Sequence, residues 1–506
     1  MFTLLLSALL ALLLVYLIKW YQDIRKCNIP GPAKLPFFGS IPFIPAKYVK
    51  RESPIADYMA EKWGDISAFY LANNLTIYIS DIELVKKVYK MEEGSGRPSS
   101  KTFSKLRFGE DDGKSRGLLL SSQEEWKEQR RFSLRTLKDM GFGKASMEDS
   151  INCEVQKLID LLSAEHVGKP TDLRALLNVS IVNALWVLMS GESLELKDEK
   201  LLGIVKAIDK VLKQGSGNPF LILLSQYIPA ISKLDRKFQE FSSLVEDIKI
   251  WVSTFVQDHK NLLGSDQMSH DFISTYLDEV QKTNDTKSSF HGKRGEESLI
   301  ASCLDLFLAG TETTTSSLIW GVLFLLHNPD VQEKVHQELD KVLGAKTLAN
   351  YDDRFNLPYT CAVINEIHRK ASIVHNSLPH TATKDLEVNG YTIPKGATIV
   401  AHLIGIHHDQ RYWEDPHKFY PERFISSKSG ACLSNANLIP FSYGKRYCLG
   451  QSLAEKELFM FFVGLMKTFH FVPVENDVLT ACDYHSGTKR STIRTPPIYN
   501  VVIRKR

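Results

Sequence analysis

Apolar residues follow different rhythms along this chain: one unbroken run at the start, helical spacing through the middle, and short alternating stretches. The unbroken run is Phe2 to Ile18, which carries no charge. As a helix it would be roughly 25 Å long, enough for a thin bilayer, with Trp20 and Tyr21 at the interface. It has neither a preceding basic region nor a small-x-small cleavage site, which favours an uncleaved anchor over residues 1–21 rather than a signal peptide. Lys19, Arg25 and Lys26 follow, so the positive-inside tendency leaves the remainder on the cytosolic side of a lipid bilayer.

Residues 22–40 are basic and then proline-rich. In Pro30–Gly39 the prolines fix φ and withhold backbone donors, which predicts a stiff spacer; an ordinary turn-rich linker would look the same. From about Glu124 to Leu343 helical spacing dominates. Val331, Val335, Leu339 and Val342 share a face, started by Asn328-Pro329 and stopped near Gly344. Alternation predicts a hairpin of Ser67–Ala72 with Leu75–Ser80, and another of Leu386–Val388 with Tyr391–Ile393. Leu299–Leu326 reads as a long buried helix, Thr283–Ser298 as a polar, exposed loop. Gly217–Leu224 fits either buried core or a surface beside the bilayer. The expectation is a mainly α protein with small β-sheets, its residues 41–506 forming one large domain.

Composition narrows the function classes. With 506 residues, 43% of them hydrophobic, the chain can bury a large core. A formal charge of +3 without a long basic run gives no argument for a nucleic-acid partner. Seven cysteines, an odd number without paired spacing, do not resemble a secreted disulfide framework and fit a reducing compartment. In cytosolic protein the sequons at Asn74, Asn178 and Asn284 are chance matches.

Cys448 stands in a patterned setting, Phe441-Ser-Tyr-Gly444-Lys-Arg446-Tyr-Cys448-Leu-Gly450. A cysteine ligates a metal only as its thiolate, so its surroundings must stabilise negative sulfur. Gly444 and Gly450 permit a tight turn that brings N–H groups to the sulfur. Gln451–Phe462 reads as a helix whose positive end would lie beside Cys448. Together these positions read as a haem-thiolate site, whereas a lone cysteine would read as a small buried hydrophobe.

Ala309-Gly310-Thr311-Glu312-Thr313-Thr314 interrupts the long apolar segment. Glycine weakens a helix interior by roughly 1 kcal/mol, and a buried carboxylate needs partners. The hydroxyls either bond back to the preceding turn and bend the helix or, over a haem, form a hydroxyl-and-water proton relay. Trp126 and Arg130, one helical turn apart, are donors suited to a carboxylate, although a helix surface gives the same spacing. Glu366 and Arg369 alone would be a surface ion pair. Lys127, Arg131, Arg135 and Lys138, with Lys445, form either a solvated face or a docking surface for an acidic flavoprotein. No nucleotide-binding glycine motif or ferredoxin-type cysteine cluster occurs, so electrons must come from another protein.

These residues resemble the cytochrome P-450 family, microsomal type, closest to family 2 members and their invertebrate relatives. Cys448 and its neighbours hold every fixed position of that family's Phe-x-x-Gly-x-Arg-x-Cys-x-Gly loop. Ala309–Thr313 matches its distal helix, and Trp413, Pro416, Phe419 and Pro421–Phe424 match its meander. The resemblance implies the cytochrome P-450 fold, a single large haem domain on an N-terminal membrane anchor. It implies haem b, iron held by Cys448, and propionates held by Trp126, Arg130, His380 and Arg446. It gives Glu312 and Thr313 the oxygen-activating role, and it joins Glu366, Arg369 and Arg423 in a buried charge network that fixes the cysteine loop. Gln123 departs from a glycine common among relatives.

The implied reaction inserts one atom of dioxygen into a lipophilic organic substrate, of the fatty acid, steroid or xenobiotic class. Electrons would come from NADPH–cytochrome P-450 reductase at the cytosolic face of the endoplasmic reticulum membrane. Pocket positions by resemblance include Phe103, Leu106, Phe108, Leu306, Ala309, Ile373, Val374 and Ile493. His375 and Asn376 are more polar than relatives usually show there, which suggests a hydroxyl or carbonyl on the substrate. A haem-thiolate isomerase or dehydratase and a non-catalytic haem sensor are the competing classes. Glu312 and Thr313 speak against both.

Overall fold

The computed structural model describes residues 2–49, 54–109, 114–140, 145–191, 195, 199–214, 217–225, 228–264, 271–476, 478–487 and 493–506. The chain falls into two compact units, each gathered from separate stretches. One comprises Met1–Pro98, His375–Tyr412 and Phe441–Tyr447; the other comprises Ser99–Val374, Trp413–Pro440 and Cys448–Arg506.

The first unit carries the apolar N-terminal helix, Phe2–Arg25, which continues past the apolar run through Lys19 to Arg25. Among the described residues it is the one helix long and apolar enough to cross a membrane. Pro30–Gly39 forms no helix; Leu35 bridges Gly39 antiparallel, and Gly39 in turn bridges Leu71. Ile66–Leu71 and Asn74–Ile79 pair antiparallel as the alternation predicts. The second of these runs parallel to Thr398–Ala401, which takes His380–Thr381 antiparallel on its other side. The second predicted hairpin forms as well, with Val388 opposite Tyr391. Its turn needs positive φ at both Asn389 (+48°) and Gly390 (+79°), the backbone that an Asn-Gly pair supplies.

The second unit is built around the long helix Gly292–His327, buried on almost every side from Leu299 to Leu326. It packs against the helix Arg174–Ser190. A Cβ on Gly310 would lie 2.8 Å from Leu185 Cδ2, so the glycine permits the helices to approach. The helix starts earlier than its apolar run. The polar stretch expected as an exposed loop over Thr283–Ser298 is a loop only to His291, and Ser289, Phe290 and Ser298 are buried. Around Ser289 and Phe290 the buried groups find partners inside the protein. Ser289 N–H donates to Glu128 at 2.8 Å, Gln129 donates to the Ser289 hydroxyl at 2.9 Å, and the Phe290 ring packs 5.0 Å from both Phe132 and Tyr276. Within the apolar stretch 217–224, Ile222 is buried.

The helix Pro329–Leu343 begins on its proline and ends at Gly344, whose φ is +56°. Leu343, rather than the partly exposed Val342, completes its buried face. Gln123 begins the helix Gln123–Asp139 with φ +57°, a left-handed backbone that glycine adopts more readily.

In the helix Pro358–Ala371, Glu366 and Arg369 are both fully buried. Arg369 donates to both Glu366 oxygens at 2.8 Å and to the Pro416 carbonyl at 2.9 Å. Arg423 Nε at 3.2 Å and the Tyr420 N–H at 2.8 Å complete the carboxylate's shell. Breaking such a pair typically costs about 3–5 kcal/mol, because the remaining charge is stranded.

The helix after the cysteine runs Gln451–Thr468 and is buried nearly all round. Its Glu457 accepts a hydrogen bond from Thr314 of the long helix at 3.3 Å. The other carboxyl oxygen, Oε1, has no partner among the described residues, and burial pushes the group from the ordinary 4.5 up to about 8. Between those values the folded protein keeps a proton that the unfolded chain releases, so stability falls as pH rises. Unfolding midpoints measured across this window should decline with pH in the native sequence. In Glu457→Gln that slope should be smaller, and equal slopes would refute the assignment.

Candidate active site

Cys448 lies three residues before the helix Gln451–Thr468 and is half-buried. Burial pushes its thiol above the ordinary value, while the Gly450 N–H and the nearby Arg130 charge pull it down. In the protein alone burial has the largest influence; a bound metal ion would reverse this by deprotonating the thiol outright.

The two glycines of the loop do different work. At Gly444, φ is +75° and a Cβ would fall 2.0 Å from the Tyr89 carbonyl oxygen, so no other residue fits that backbone. Gly450 has φ −87° and room for a Cβ at ordinary contact distance from the sulfur. The conformational freedom expected of Gly450 is therefore not used, and its contribution is an N–H donor to Cys448.

Trp126 and Arg130 share the unit of Cys448. Trp126 is buried, and the Arg130 guanidinium lies 6.0 Å from the centre of its ring. On the same helix Lys127, Arg131, Arg135 and Lys138 are all exposed, with Lys127 paired to Glu124 at 3.0 Å.

The distal cluster divides in two. Glu312 is fully buried on the long helix, where Oε1 accepts from Arg174 Nη1 and Ser316 Oγ at 2.8 Å each. Its Oε2 accepts from Asn178 Nδ2 at 3.3 Å. Arg174 is itself fixed by donating to the Pro496 carbonyl at 3.2 Å. Thr313 lies on another face, and its hydroxyl donates back to the Ala309 carbonyl at 2.7 Å. Thr311 and Ser317 bond back in the same way, to Phe307 at 2.8 Å and Thr313 at 2.9 Å. Leu306, Ala309 and Thr313, spaced at helical intervals, are partly or fully accessible while most of the surrounding helix is not.

His380 and Arg446 belong to the other unit. The His380 ring stacks on Tyr89 with centroids 4.0 Å apart, and its Nδ1 lies 2.8 Å from the Gly94 carbonyl oxygen. A carbonyl only accepts, so Nδ1 carries the proton. Burial, then the charges of Arg97 and Arg446, hold the imidazole well below its ordinary pKa, and the neutral ring presents Nε2 as an acceptor. Arg446 donates to the Ser95 carbonyl at 2.9 Å, and Arg97 to those of Leu378 and Pro379 at 3.2 and 2.8 Å. Two guanidiniums around one imidazole make an electropositive cluster suited to an anion, whose charge would raise His380 and let Nε2 donate as well.

The structure thus brings Trp126, Arg130, Glu312, Thr313 and Cys448 into one unit, and His380 and Arg446 into the other. Arg97, Arg174 and Glu457 lie in none of the motifs read from the sequence, and Asn178 stood out only as a chance sequon.

Comparison with known proteins agrees with this chemistry. Residues 29–495 match the cytochrome P450 family profile. Rabbit (Oryctolagus cuniculus) cytochrome P450 2J1 is 35% identical over 97% of this chain and 94% of its own length. Human cytochrome P450 2J2 is 34% identical over 89% of this chain and 87% of its own. The farnesoate epoxidase of Bombyx mori is 31% identical over 95% and 96%. The chain therefore belongs to the cytochrome P450 family, and it is a haem-thiolate monooxygenase.

Proposed function

We propose that this monooxygenase oxidises a lipophilic small molecule bearing a hydroxyl or carbonyl group, at the cytosolic face of the endoplasmic reticulum membrane. Its electrons come from NADPH–cytochrome P450 reductase. The observation that carries the reading is the accessible stripe Leu306, Ala309 and Thr313 on a helix otherwise enclosed by protein. It opens a mostly apolar surface, with one hydroxyl, to a small molecule.

The residues present fit the haem that family membership implies. Cys448 is its ligand, with the Gly450 N–H tempering the sulfur's charge. Trp126, Arg130, His380 and Arg446 would hold its carboxylates, and the electropositive surroundings of His380 support that role. When bound, haem supplies the activation of dioxygen and the insertion of one oxygen atom.

The remaining residues move protons and set specificity. Arg174, Asn178 and Ser316 hold Glu312 as a hydrogen-bonded carboxylate that can receive a proton without leaving the core. Thr313 passes its hydroxyl proton onward when the bond to Ala309 opens. The exposed arginines and lysines of the helix Gln123–Asp139 offer a face to an acidic flavoprotein. The apolar helix Phe2–Arg25 supports a membrane anchor. One relative is named for epoxidising farnesoate, a lipophilic chain, which agrees with the apolar pocket positions. Asn376 Oδ1 is buried without a partner among the described residues, and a substrate hydroxyl would satisfy it.

Three outcomes are expected. The reduced carbon monoxide spectrum of the native protein shows the red-shifted thiolate band, and Cys448→Ala abolishes it; a band that survives would remove Cys448 as ligand. Thr313→Val lowers product formed per NADPH oxidised by about tenfold or more while spectral substrate binding holds, and Thr313→Ser restores most of the yield. Equal coupling in all three proteins would dismiss Thr313 as a proton carrier. In a spectral binding screen, Asn376→Ala weakens hydroxylated ligands by about tenfold but spares their deoxy analogues. Loss of affinity for both alike would count against the hydrogen bond.

A further inference from the structure

A groove of about 500 Å³ opens between the helices Glu199–Gln214 and Arg236–Asn261, and none of the residues assigned a role above lines it. That volume lies in the range of small-molecule sites. Ile204 and Ala207 line one side, and Leu244 and Trp251 the other. The lining also carries two cations, Lys206 and Lys210, which are exposed one helical turn apart, and a single acid, Asp247. Two ammoniums against one carboxylate leave an excess of one positive charge.

Trp251 is a fixed wall. Its ring is held by Trp186 and Phe255, each at 4.9 Å, and by Phe307 of the long helix at 5.3 Å. Lys206, Lys210 and Asp247 make no ion pair or side-chain hydrogen bond among the described residues. The apolar surface is thus preformed, and the cations beside it are available to a ligand.

We infer that this groove binds the carboxylate of a single-chain amphiphile, a fatty-acid-class monomer. The chain lies along Ile204, Ala207, Leu244 and Trp251, and the head group sits between Lys206 and Lys210. Gly203 supplies the opening, since a Cβ there would meet nothing within 4 Å and a longer side chain would extend into the space. The inference stands independently of the substrate proposed for the haem site.

The test uses the full-length holoenzyme in zwitterionic phospholipid nanodiscs, with an azole blocking the haem site. A diazirine-tagged dodecanoate is photocrosslinked and the labelled peptides are mapped by mass spectrometry. Label is expected on peptides spanning Ile204–Lys210 or Leu244–Trp251, displaced by excess dodecanoate and at least about fivefold less by dodecanol. Lys206→Gln with Lys210→Gln should reduce that labelling by a similar factor, and Gly203→Leu should nearly abolish it, with the azole difference spectrum unchanged in both. Equal displacement by the alcohol, or labelling indifferent to the lysines, would overturn the carboxylate site. So would the discovery that a second copy of the chain occupies the groove, seen as label protection that grows with protein concentration.

Discussion

A carboxylate in the middle of a core helix can keep its charge only where a cation and hydrogen-bond donors come to meet it. Glu312 is met by Arg174 and Asn178 from one helix and Ser316 from its own. The cost of desolvating both charges is offset only if their geometry is good and their remaining polar groups are satisfied. That requirement fixes the rotation of the long helix against Arg174–Ser190. With Glu312 turned inward to this shell and Gly310 against Leu185, Leu306, Ala309 and Thr313 are left on the accessible side. The surface offered to a substrate is thus a geometric consequence of where the buried charge finds its partner.

Two buried glutamates on neighbouring helices illustrate how environment decides protonation. Glu312 has a guanidinium and a full shell of donors. Glu457 has one hydroxyl donor at 3.3 Å, and burial holds its proton to about 8. Residue type is the same, yet one is arranged as an anion and the other as a neutral acid.

Much of this was legible in the sequence because it depends on local patterns. Both hairpins follow from alternation and Asn-containing turns. The long helix, the Pro329 start and the helix after Cys448 follow from apolar spacing and breakers. Cys448 was legible because four other fixed positions surround it within a decapeptide. The start of the long helix was not, since Gly292–Ser298 is polar and reads as loop, and the burial of Ser289 and Phe290 just before it depends on Glu128, Gln129, Phe132 and Tyr276, brought together only in the fold. The Arg174–Glu312 pair joins positions 138 residues apart, and no spacing rule reaches that far. Gly450 was misjudged for a different reason. A glycine in a turn suggests backbone freedom, whereas here its N–H is what the sulfur uses.

The same contrast bears on Thr313. The back-bonded threonine and the proton-carrying threonine appeared as alternatives in the sequence, but in the role proposed for Thr313 they are stages of one behaviour. A hydroxyl has one proton and two lone pairs, so donating to Ala309 leaves its oxygen able to accept from a ligand or water on the accessible face. Accepting there polarises the O–H bond toward Ala309, as chains of hydrogen bonds do. Rotation about the side chain then exchanges the carbonyl for the new partner as acceptor. In the proposed role the bond that holds the helix turn together is also the resting place of the proton, which requires Thr313 to have an accessible side as well as a helical one.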